Sequence, residues 1–366
     1  FGSRNMRIGS AMHWHAGALV IYLVSLSAKG AEPVCKAGQP CAGKSKTESY
    51  YWPTAHGNVK HYHTSPYDGP WNLSASLAWS WHHPDGQFND MPLGTTMDDK
   101  RNTYVGSNNG IWKLSPDGKT MWSFLPPATN GDPIRVGGLN PDGVSLYEGA
   151  AYMALNDGRW FAIDMETGSK IWEKKPTRGG CGDTGVISVH AGVVVGETDG
   201  LDGGYDRCTT VTALNATTGD LLWKYVPDDP LWDLMVQFLG DEAIVFQDIT
   251  GRAYKNDLAT GENIWKNGGT PNSWTDGTQG VGPNGIVYTV SITPDPSRCG
   301  QGVRPLTSGK DCPGTLTAFR ITDGKLLWQR SVPRPPNSSP ATGRLGKSNR
   351  LSVVMPIGQQ PSCEAL

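Results

Sequence analysis

A glycine followed, after three residues, by a tryptophan recurs five times and limits what this chain can fold into. The copies are Gly118-Lys-Thr-Met-Trp122, Gly168-Ser-Lys-Ile-Trp172, Gly219-Asp-Leu-Leu-Trp223, Gly261-Glu-Asn-Ile-Trp265 and Gly324-Lys-Leu-Leu-Trp328. In three of them Asp164, Asn215 or Asp257 stands four residues before the glycine. Alternating apolar runs such as Trp160-Phe-Ala-Ile163 and Val211-Thr-Ala-Leu214 lead into that polar residue. Asp or Asn can bond its own backbone across a tight turn, and glycine supplies the positive φ such a turn needs. The unit therefore reads as a hairpin whose second strand carries the tryptophan, with Asp164 and Asp257 as turn residues.

Two more short apolar runs precede the hairpin. They are Thr184–Val189 with Gly192–Val195 in one unit, and Asp233–Phe238 with Ala243–Phe246 in another. Four strands at tryptophan intervals of 50, 51, 42 and 63 residues bracket the roughly 40–50 residues of a propeller blade. The expected fold is all-β: a β-propeller of four-stranded antiparallel blades. A linear β-solenoid, the competing architecture, usually has shorter repeats. Composition agrees, since 47 Gly, 27 Pro and 14 Trp suit many turns and regularly placed aromatics. Leu77-Ala-Trp79-Ser-Trp81 is expected to belong to the blade that closes the ring, and Leu351–Ile357 to start another blade.

Residues 1–31 have the order of a secretory signal peptide: Arg4 and Arg7, an apolar stretch from Ala16 to Leu26, then Ser27, Ala28, Gly30 and Ala31. The stretch is short of the roughly 20 residues that span a bilayer, so no membrane span is expected in the mature chain. Residues 32–49 read as a linker and 50–366 as the propeller. Seven cysteines suit an oxidising compartment. Nearest-neighbour pairing gives Cys35–Cys41, Cys181–Cys208 and Cys299–Cys312, with Cys363 left over, although spacing alone does not fix connectivity. No Cys-x-x-Cys occurs and no Cys lies beside a paired His, so no zinc site is expected. Asn72, Asn215 and Asn337 open N-glycosylation triplets. A secreted or extracytoplasmic glycoprotein is the resulting expectation. A net charge of −2 with no basic stripe argues against nucleic-acid binding.

Ala162-Ile-Asp-Met-Glu-Thr-Gly-Ser-Lys-Ile-Trp172 and Ala213-Leu-Asn-Ala-Thr-Thr-Gly-Asp-Leu-Leu-Trp223 resemble the repeat of pyrroloquinoline-quinone (PQQ) propellers, the quinoprotein alcohol dehydrogenase-like superfamily. The opening Trp52-Pro-Thr-Ala-His-Gly and Ser65-Pro-Tyr-Asp-Gly-Pro70 are also similar to the entry segment of such propellers. The resemblance covers about residues 50–330 and implies that the tryptophans dock neighbouring blades. It also implies a ring of about seven or eight blades. With five full units visible and Phe1 in place of Met, the chain is expected to be incomplete, notably at its C-terminus. An open arc would expose strand edges and be poorly stable.

The resemblance covers enzymes and non-catalytic assembly proteins alike, so chemistry must be sought in the residues. A PQQ dehydrogenase needs oxygen ligands for Ca²⁺, a carboxylate base and a flat slot for the quinone. Asp183, Asp233 and Asp248 lie beside candidate strands and could face the axis, and Trp232-Asp233 is similar to a segment of the dehydrogenases. Gly180-Cys-Gly-Asp183 lies near where many such enzymes carry an adjacent cysteine pair, but it holds a single Cys, which Cys208 could pair. Each carboxylate also fits a turn or strand-end residue bonded to local backbone. His61-Tyr-His63 puts two imidazoles on one face without a third ligand, so no metal site is assigned there. Two functions follow as expectations. One is a binding or scaffold propeller whose loops hold a protein or glycan. The other is a divergent quinoprotein oxidoreductase using PQQ and Ca²⁺.

Overall fold

The computed structural model describes Leu19–Ile21 and much of residues 49–365. Residues 22–48, 59–71, 87–94, 128–142, 178–186, 200–207, 294–311 and several shorter stretches lie outside the description. Cys35, Cys41, Cys181, Cys299, Asp183, His61 and His63 fall among these.

Among the described residues, five four-stranded antiparallel sheets follow one another, each in simple up-and-down order. The first blade comprises Thr95–Met97, Thr103–Ser107, Gly110–Leu114 and Thr120–Phe124; the second comprises Ser145–Tyr147, Ala150–Ala154, Trp160–Asp164 and Lys170–Lys174. The third is Ile187–His190, Val193–Asp199, Cys208–Asn215 and Leu221–Tyr225; the fourth is Gln237–Leu239, Ala243–Gln247, Arg252–Asp257 and Asn263–Gly268. The fifth is Gly280–Gly282, Ile286–Ile292, Gly314–Arg320 and Leu326–Val332. The first strands of the first three blades lie side by side, Thr95–Met97 with Ser145–Tyr147 and Ser145–Tyr147 with Ile187–His190. They therefore line the axis, while each fourth strand forms the outer edge. This is a β-propeller.

Apolar residues on both faces of the middle strands fill the spaces between blades. The cluster between the third and fourth blades joins Val195, Val211 and Trp223 to Phe238, Ile244 and Phe246. The repeat unit fastens these layers. The indoles of Trp122, Trp172, Trp223 and Trp265 each lie on the glycine of the next blade and donate Nε1–H to a carbonyl three residues before that glycine. The bonds are Trp122 to Met165 at 3.2 Å, Trp172 to Ala216 at 2.8 Å, Trp223 to Leu258 at 2.8 Å and Trp265 to Ile321 at 3.1 Å. Trp79 donates to Pro116 at 3.0 Å, two residues before Gly118, with its ring against that glycine. The Gly-x-x-x-Trp spacing thus places a socket and a plug on one hairpin, each for a different neighbour.

Gly261 shows why the socket is glycine. Its φ is +75°, and a β-carbon there would lie 2.5 Å from Trp223 Cδ2. Gly192 has a similar φ of +79° with nothing within 4 Å. Gly192→Ala is expected to cost only the left-handed backbone penalty of about 1–2 kcal/mol. Gly261→Ala is expected to cost about 1–3 kcal/mol more through overpacking. Equal losses in urea unfolding would contradict the socket.

The turn residues act locally. Asp164 Oδ1 accepts from Glu166 N, Thr167 N and Thr167 Oγ1 at 3.0, 2.7 and 2.9 Å, and Asp257 repeats this with Ala259 and Thr260. Several strand limits differ from the sequence reading. The fourth blade starts at Gln237 rather than Asp233, and the third is described from Ile187, Thr184 lying outside the described residues. Asp233 has φ +53°, a left-handed conformation outside regular strand geometry. Leu351–Ile357 is two strands, Arg350–Val354 pairing with Ala341–Leu345 and Pro356–Gln359 pairing with Ser362–Ala365. Within Leu77–Trp81 only Trp79–Trp81 is a strand, and Leu19–Ile21 of the leader-like segment pairs with it. Cys208 and Cys312 are both disulfide-bonded. Among the described residues no helix is long and apolar enough to cross a membrane.

Candidate functional site

Up-and-down blades put the first-to-second and third-to-fourth turns at one end. The second-to-third turns and the connectors between blades lie at the other. Two of the three candidate carboxylates share this second end: Asp233 in the connector into the fourth blade and Asp248 in the turn after Ala243–Gln247. Asp183 lies outside the described residues.

Asp248 is held by its turn. Its Oδ1 accepts from Thr250 N at 2.9 Å, Thr250 Oγ1 at 2.6 Å and Arg252 N at 3.2 Å, and its Oδ2 accepts from Tyr254 OH at 2.7 Å. The side chain has no exposed surface. Burial pushes its pKa up to about 6 even though these bonds pull the other way. Arg252, which stands 3.7 Å from Oδ2, is shared with Asp228 and Asp229. A base or metal ligand needs a lone pair to offer. Three bonds fill Asp248 Oδ1, and Oδ2 is buried against Tyr254 OH and Arg252, so neither oxygen reaches a ligand without opening the turn.

The neighbouring polar side chains are also engaged. Gln247 donates Nε2–H to Gly277 O at 2.9 Å and Val290 O at 3.2 Å, while its Oε1 accepts from Val290 N at 3.1 Å. Gln279 Nε2 donates to Met235 O, and its Oε1 accepts from Gln247 N at 3.1 Å. These two amides replace the backbone bonds that twisted blades cannot make to each other. Nearer the start of the chain, Thr54 Oγ1 lies 3.0 Å from Ser145 Oγ, which donates to Ile187 O at 2.6 Å. Glu197 Oε2 accepts from Leu234 N at 3.2 Å. Sequence reasoning missed Gln247, Gln279 and Glu197. The available signal was a polar residue within or closing a buried apolar run, as in Ala243-Ile-Val-Phe-Gln247.

Trp232 and Trp274 meet at 4.9 Å between ring centroids, over Ile292 and Cys312. They make an apolar patch at the same end. A PQQ–Ca²⁺ group would need about six to eight hard oxygens around the cation. Among the described residues no group of three or more His, Cys, Asp or Glu is placed to hold a metal, and Asp248 is closed within its turn. The described residues do not fit that group, and no step is derived through it.

A family model described as outer membrane protein assembly factor BamB, built on PQQ-type repeats, matches residues 76–267 and 205–355. The chain belongs to this PQQ-type repeat family. Among curated relatives, a quinohemoprotein alcohol dehydrogenase of Comamonas testosteroni is 35% identical over 93 residues, covering 24% of this chain and 13% of that protein. Quinohemoprotein alcohol dehydrogenase ADH IIB of Pseudomonas putida is 28% identical over 195 residues, covering 52% of this chain and 26% of its own length. The chain thus matches about a quarter or less of these relatives' length. The solved structure of BamB from Moraxella catarrhalis has a TM-score of 0.49 at 14% identity, covering 75% of this chain and 76% of that one.

Proposed function

We propose that this PQQ-type propeller is an extracytoplasmic binding or scaffold module, holding a protein partner or a glycan on its loops. One observation carries the reading. At the end where quinoprotein chemistry was sought, Asp248 and both glutamines are spent on holding turns and blades. A second feature favours a protein over a glycan. The residue before each Gly-x-x-x-Trp tryptophan (Met121, Ile171, Leu222, Ile264 and Leu327) is exposed and apolar on a fourth strand. Exposed apolar edges are surfaces that other chains cover. Extracytoplasmic placement rests on the leader-like segment and on cysteines engaged in disulfides.

The curated relatives keep a quinoprotein reading as the alternative. Equilibrium dialysis of the full chain with PQQ and Ca²⁺, followed by dye reduction with a panel of alcohols, decides between them. The scaffold reading expects no saturable PQQ binding. Saturable binding with turnover replaces it with a divergent dehydrogenase.

A further inference from the structure

At the opposite end of the propeller, between the first and second blades, lies a cavity of ≈ 250 Å³. It arises where the first blade departs from the repeat. The residue paired across from the docking tryptophan is Ala162, Ala213 or Ala318 in three blades and a half-buried Lys255 in the fourth, whereas Lys113 in the first is fully buried. In the second blade Tyr152 OH donates to the carbonyl of Ala216 that also holds Trp172. In the first, Lys113 Nζ takes that place on Met165 O at 2.7 Å, and Tyr104 OH turns to Asp98 Oδ2 at 3.0 Å.

Lys113 is 3% exposed, yet its ammonium uses one of three donors and forms no ion pair among the described residues. Its Nζ lies 5.5 Å from the centroid of the Tyr104 ring. Tyr50 OH closes another wall, accepting from Gly149 N at 2.9 Å and reaching Met165 Sδ at 3.6 Å. At the rim Lys100 and Glu166 pair at 3.5 Å, both largely exposed and free to separate. Burial holds the Lys113 ammonium below the ordinary lysine range, with nearby carboxylates opposing.

The charges select the ligand. A simple anion would satisfy Lys113 but face Asp98, Asp99, Asp164 and Glu166 around the cavity. A simple cation would meet the buried ammonium. The volume is below the about 300–1,000 Å³ of drug-sized pockets, so the ligand is small. We propose that this cavity binds a small zwitterion of the amino-acid class, carboxylate on Lys113 and ammonium on Glu166 at the rim.

Titration calorimetry of the full chain with glycine, L-alanine and 4-aminobutyrate tests this, with acetate and ethylammonium as single-charge controls. At least one zwitterion is expected to bind about tenfold or more tighter than either control, and Lys113→Met to lose about tenfold or more. Glu166→Gln, on the exposed rim, is expected to weaken zwitterion binding and to leave acetate unchanged or bound more tightly, since one opposing charge is gone. Should Lys113→Met fail to fold, the rim variant carries the test alone. No saturable zwitterion binding, parity with acetate or ethylammonium, or unchanged affinity in either folded variant overturns the proposal.

Discussion

Trp223→Ala is expected to lower the unfolding free energy by about 3–5 kcal/mol, the range for emptying a large buried aromatic site. The indole is buried in the cluster that joins the third and fourth blades, and its Nε1–H is held by Leu258 O. Truncation opens a cavity against Gly261, which has no side chain to collapse into it. It also leaves the Leu258 carbonyl without that donor. Trp223→Phe keeps much of the ring and loses the hydrogen bond, so it is expected to cost about 1–3 kcal/mol. Urea unfolding followed by far-ultraviolet circular dichroism measures both. If alanine costs no more than phenylalanine, the indole is not the fastener.

A second large effect is pH-dependent and comes from Asp248. Its folded pKa of about 6 lies above the ordinary 3.8, so the folded chain holds this proton more tightly than the unfolded one. The resulting stabilisation is fully present below about pH 4 and is lost as pH rises through about 6. That difference in proton affinity is worth about 3 kcal/mol. Asp248→Asn keeps an oxygen for Thr250 and Arg252 but stays neutral at every pH. Carboxylates with depressed values, such as Asp164, Glu173 and Asp257, slope the other way. The difference between the two proteins isolates Asp248. Unfolding at about pH 4 and about pH 7.5 should show wild type losing about 3 kcal/mol relative to the variant. Parallel pH profiles would show that the carboxylate is not stressed.

The candidate site was less legible than the fold, for a physical reason visible in particular residues. Asp164 and Asp257 were readable because a turn residue's partners lie within three positions along the chain. Asp248 obeys the same local logic. However, its burial comes from Tyr254 and the surrounding blade, so its raised pKa had no sequence signature. Gln247 and Gln279 bond backbone of another blade about thirty or more residues away, and nothing near them in sequence announces that. Lys113 looks like an ordinary strand lysine. Its burial became visible only against Met165 of the next blade.

Sequence by itself determined the four-stranded unit, its turns and its period, because these depend on side-chain alternation and local backbone bonds. Tertiary structure decided what the repeat's two marked residues do. Glycine and tryptophan in one hairpin serve opposite neighbours, since the twist of each blade brings its outer strand over the following turn. It also decided which polar residues are spent on holding blades together and where the first interface keeps a buried charge. Those outcomes depend on distances between segments far apart in the chain, which no local pattern encodes.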